Sequence, residues 1–148
     1  MKTFKALIIF LLILSSLNAQ SFYTLDNIKS LSLYMPNKVG FMDKEQKDSL
    51  KESVIEKLKK AGFIFGKTDA TTFMIKIESI NVNDTEVIHV QLALGEEVLT
   101  SRPGNIHSFA LTYLATDFME SDEPVKDTIE SVESLLSEFL EAYKDDNE

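Results

Sequence analysis

Apolar residues along this chain recur with different periods in different stretches, and each period predicts an element. From Asn27 to Met35, Leu31, Leu33 and Met35 alternate with Ser30, Ser32 and Tyr34 until Pro36-Asn37 interrupts, which predicts a short strand. The spacing then lengthens: Leu50, Val54, Leu58 and Ala61 fall on one helical face. Asp43 and Gln46 stand at capping-box spacing before that face, and Gly62-Phe63 offers a glycine stop after it, so a helix is expected over 44–61. Its other side, with Lys47, Lys51, Lys59 and Lys60 among Glu45, Glu52 and Glu56, reads as solvated surface.

Three strand-like runs follow. Over 72–82, Phe73, Ile75 and Ile77 alternate with Lys76 and Glu78, and Asn81 to Asp84 supply turn residues. Over 86–94, Ile88, Val90, Leu92 and Leu94 oppose His89, Gln91 and Ala93. A connection holding Glu96, Glu97, Arg102, Pro103 and Gly104 leads to 107–118, where Phe109, Leu111, Tyr113 and Ala115 are expected to face inward, opposite Ser108, Ala110, Thr112 and Leu114. These three should form an antiparallel meander. Asp122 or Glu123 then caps a final helix with Pro124 in its first turn, and Val125, Ile129, Val132, Leu136, Phe139 and Tyr143 make a continuous apolar seam. That seam is expected to lie across the sheet beside the first helix. Leu135 and Leu140 widen it enough for self-association to be the sharper alternative.

The order strand, helix, three strands, helix predicts an α+β two-layer sandwich, with two helices on one face of a four-stranded mixed sheet. The first two strands, joined through a helix, should be parallel. The length of 148 residues and the lack of an internal repeat keep this to one domain, over 20–144, with 145–148 as an acidic tail.

The segment before residue 20 changes the picture most. Lys2 and Lys5 precede the apolar run Ala6 to Leu14, and Ser15 to Ala19 end in a small residue, the three parts of a secretory signal peptide with cleavage expected after Ala19. Nine helical residues rise only ~14 Å against a hydrocarbon core of ~30 Å, so the run is too short for a good membrane span. The expected compartment is the periplasm or the exterior, and a mature chain without cysteine must there stand on its core alone.

Charge and candidate chemistry narrow the function. The formal net charge is -9, with a single Arg, which speaks against a nucleic-acid partner because phosphate binding needs a basic surface. Residues 117–148 hold 12 acids and two Lys, so nearly all the excess lies at one end. Without cysteine, thiol nucleophiles, Cys-ligated metals and c-type haem attachment are excluded. The two imidazoles, His89 and His107, have no HxH or HExxH spacing and are expected on opposite sides of the sheet. Asp117, Glu120, Asp122 and Glu123 concentrate carboxylates at the last strand-to-helix joint, the oxygen chemistry a hard cation needs, but without EF-hand spacing. Helix capping accounts for them as well. Ser108 beside His107 lies outside any GxSxG elbow, Glu78, Glu86, Glu96 and Glu97 are not marked as a catalytic pair, and the isolated glycines build no phosphate loop. No cofactor and no enzymatic activity are expected.

The resulting expectation is an exported binding or adaptor protein, monomer or homodimer, that meets a protein partner through a sheet edge or the acidic final helix. A small-ligand or divalent-cation binder using 117–123 is the alternative, and a small hydrolase using His107 a third class.

Overall fold

The computed structural model describes residues 24–68 and 70–148. The expected leader, 1–19, lies outside the described residues. The chain runs β1 (Ser30–Tyr34), α1 (Lys44–Lys60), β2 (Ile64–Phe65), β3 (Thr71–Val82), β4 (Thr85–Leu99), β5 (His107–Ser121) and α2 (Pro124–Asn147). The α+β class and the mixed sheet are as expected, but the sheet has five strands rather than four, in the order β2-β1-β3-β4-β5. The added strand, β2, has two residues, too few for alternation to register; it pairs parallel to β1. Strands β1 and β3 are parallel, and β3, β4 and β5 form the antiparallel meander.

Local chemistry explains where α1 starts and stops. The Asp43 carboxylate accepts from the Gln46 backbone N–H at 2.8 Å while the Gln46 amide oxygen accepts from the Asp43 N–H at 2.9 Å, a complete capping box. At the other end Gly62 adopts φ +97°, its N–H donates to Lys59 O, and the Phe63 N–H donates to Leu58 O, the paired bonds of a Schellman stop. Between β3 and β4, Asn83 and Asp84 both take positive φ, as a two-residue hairpin turn requires.

One face of the sheet is covered. Phe73, Ile75 and Ile77 of β3 and Ile88, Val90, Leu92 and Leu94 of β4 are buried with Leu50, Val54 and Leu58 of α1 and Val132, Leu135, Leu136 and Phe139 of α2. The Phe139 ring meets Phe73 edge-on at 5.0 Å and Tyr113 at 5.4 Å. The α2 seam therefore completes the core, and Leu135, which widened it, is itself buried. Lys57 of α1 and Glu133 of α2 join the helices at 2.7 Å.

The last strand departs from expectation. Leu94 pairs with Tyr113 but Gly95 pairs with Leu111, leaving Thr112 as an extra, bulged residue. The alternation slips by one there, so Phe109 and Leu111, expected inside, lie on the helix-free face at 57% and 42% exposure. Strand β4 also continues through Glu96 and Glu97, expected in a connection, which pair with Ala110 and Phe109. The expected acidic tail also differs: α2 runs to Asn147, so residues 145–147 are its last turn. There Asp146 Oδ2 accepts from the Leu25 N–H at 2.7 Å, Asn147 brackets Leu25 O and the Asn27 N–H at 3.1 Å each, and the Tyr143 hydroxyl donates to Ile28 O.

Candidate functional site

The helix-free face of the sheet is where side-chain chemistry is left unspent. Its rows follow from the register. Met74, Ala93 and Leu114 form one row, Lys76, Gln91 and Thr116 the next, Glu78, His89 and Phe118 the third. No described helix covers them. Leu114 and Phe118 are exposed, Phe118 at 69%, and with Phe109 and Leu111 they give β5 an apolar line along its outer face. A sheet face open to water is normally polar, as the middle of β3 is here with Lys76 and Glu78.

Beside this line sits a charged group. Lys76 Nζ is 2.8 Å from Glu78 Oε2, and His89 Nδ1 is 3.9 Å from the same oxygen. The hydrogen bond from Lys76, with a further contribution from His89, holds the Glu78 carboxyl below the ordinary carboxylate range. The other side of His89 is occupied by Phe118, whose ring stacks on the imidazole with centroids 4.1 Å apart and 9° between planes. An adjoining cleft of about 380 Å³ is lined by Tyr34 at the end of β1, by Pro36 and Lys38 of the segment that follows it, and by Lys76 and Glu78 of β3, where Asn37 bridges to Ile77.

Several residues singled out in the sequence are placed differently from expectation. His107 pairs with Leu99, which shares the parity of His89 along β4, so both imidazoles belong to the open face rather than to opposite faces. The expected cation loop is mostly strand: Asp117 and Glu120 are in β5 and face opposite ways. Asp117 accepts from the Ser131 hydroxyl at 2.8 Å on the helix side, Glu120 and Asp122 are exposed, and Glu123 pairs with Lys126 at 3.1 Å. No group of three or more His, Asp or Glu among the described residues is arranged to hold a metal ion. Nor does the Glu123 side chain cap α2; Ser121 Oγ accepts from the Glu123 N–H at 3.1 Å and donates to Asp127 at 2.5 Å instead. Glu96 is held by the Thr71 and Thr112 hydroxyls at 3.1 and 2.5 Å at the sheet's end.

Unbroken alternation along β5 puts Phe109 and Leu111 in the core and so hides the apolar line. The signal against it is that Leu114 is apolar on the opposite parity, so no single alternation buries all three.

No helix among the described residues is long and apolar enough to cross a membrane. No family model and no curated protein matches the chain. Among solved structures it is similar to a minor lipoprotein from Acinetobacter baumannii, at 14% identity over 77% of this chain and 91% of that one, with a TM-score of 0.40, a likeness too slight to carry an argument about fold or role.

Proposed function

We propose that this chain is an exported, non-catalytic binding domain that docks a partner protein on the open face of its sheet. The observation that carries this reading is the exposed apolar line Phe109, Leu111, Leu114 and Phe118, flanked by the Lys76, Glu78 and His89 group. An apolar center with a polar margin is the anatomy of a protein-binding surface. Export rests on the leader-like pattern of residues 1–19. The ligand-binding alternative has no comparable gathering of groups, since the acids of 117–123 diverge.

A photo-crosslinking residue at position 118, compared with one at Glu52 on the exposed side of α1, tests the reading in the native envelope. A discrete protein adduct is expected from 118 and none from 52. Equal labelling from both positions, or none from 118, would refute docking on this face.

A further inference from the structure

The sheet's two edges are treated differently. At one, β2 ends the sheet with two residues, too short to template another strand. At the other, β5 is fifteen residues long, and the described chain places no strand beyond it. Edge strands are ordinarily guarded by lysine, proline, a bulge, an inward charge or cover; β5 contains no lysine or proline, its inward Asp117 is tied to Ser131, and its bulge at Thr112 leaves Tyr113–Ser121 running unbroken against β4.

The two sides of this edge differ in chemistry. On the open side lie Phe109, Leu111, Leu114 and Phe118. On the helix side lies one flank of α2, fixed against β5 by the bonds from Ser121 to Asp127 and from Ser131 to Asp117. Helical spacing carries that flank from Asp127 and Ser131 through Ser134 and Glu138 to Glu141 and Asp145. A strand laid along β5 would thus have alternate side chains beside an apolar line and beside a row of acids.

We infer that β5 is a strand-addition edge, and that its occupant is an extended partner segment alternating apolar residues with Lys or Arg. This rests on the docking reading above and names the partner's chemistry. Backbone pairing supplies the affinity, and the alternation sets which face of the segment turns toward α2. A second copy of this chain is disfavoured as occupant, because residues 117–148 carry a formal -10 and would meet their own like charge.

The probes are a peptide of about ten residues alternating Val and Lys, the same peptide N-methylated at every residue, and one alternating Val and Glu. The Val-Lys peptide should bind and slow hydrogen exchange of the β5 amides that point away from β4. Removing its backbone donors, or reversing its charge, should weaken binding by about tenfold or more. Glu138→Lys, a change at an exposed site, should weaken it by about threefold. Equal binding by the N-methylated peptide, unchanged exchange at the β5 amides that point away from β4, or slow exchange of those outward amides in the free protein would each overturn strand addition. If the Val-Lys peptide fails while the position-118 adduct persists, strand addition alone falls; loss of the adduct removes the docking reading with it.

Discussion

Gly95 and Phe109 show how one residue's absence of a side chain sets the surface chemistry of this sheet. A Cβ on Gly95 would overlap the Phe109 ring and come within 3.2 Å of the Met74 methyl, so the ring lies across the bare backbone of β4. Two opposing effects follow for Gly95→Ala. Alanine restricts the unfolded chain and favours the strand by about 0.5–1 kcal/mol. Displacing the ring forfeits a contact worth on the order of 1 kcal/mol, since Phe109 is half free and can swing aside. Gly95→Ala should therefore be within about 0.5 kcal/mol of neutral in the wild-type chain, yet stabilise a Phe109→Ala background by about 0.5–1 kcal/mol. Urea melts of the four-member cycle measure this, and strict additivity would show that ring and glycine do not interact.

At the scale of elements, the end of α2 does more than its composition suggests. Asp146, Asn147 and Tyr143 hold the backbone of 25–28, and Leu25, beside those bonds, is 1% exposed in the core. Deleting 146–148 should thus cost about 2–3 kcal/mol, from one charged and two neutral hydrogen bonds and a loosened Leu25, where a solvated tail would cost nothing. Chemical denaturation decides between them, and Asp146→Asn should retain most of the stability because an acceptor remains. This contact could not be read from the sequence: its partners lie about 120 residues apart, and acids at a helix C-terminus look like solvation. By contrast α1 and the Asn83-Asp84 turn were legible because their signals are local, a capping box, a glycine stop and a two-residue turn. The open face is legible only in β3 and β4, where one parity is apolar; in β5 the bulge at Thr112 reverses the phase between two apolar sets, so unbroken alternation puts half of the candidate site in the wrong layer.

For the whole molecule, the question is whether surface charge holds the fold together or strains it. The described ion pairs act in the stabilising direction. Lys60 holds the Glu56 carboxyl below its ordinary range, as Lys76 does that of Glu78, so each pair contributes above the unfolded carboxylate pKa and is lost as pH falls through the folded one. Glu123 raises Lys126, a contribution lost only as pH rises through the folded lysine pKa. All three are intact at neutral pH, but all are exposed and such pairs are individually weak. Against them stand 12 acids and two lysines within 117–148, a segment folded onto a single strand and helix, so that neighbouring like charges lie within a Debye length of about 10 Å at moderate salt. Repulsion along that side should outweigh the scattered pairs. Raising NaCl from about 0.02 to 0.5 M at neutral pH should accordingly raise the melting temperature. The rise should shrink in a variant carrying Glu138→Lys and Glu141→Lys, which breaks the acid row without touching the core. A melting temperature that falls with salt would mean that the ion pairs dominate, and would remove the electrostatic reason for expecting a basic partner along α2.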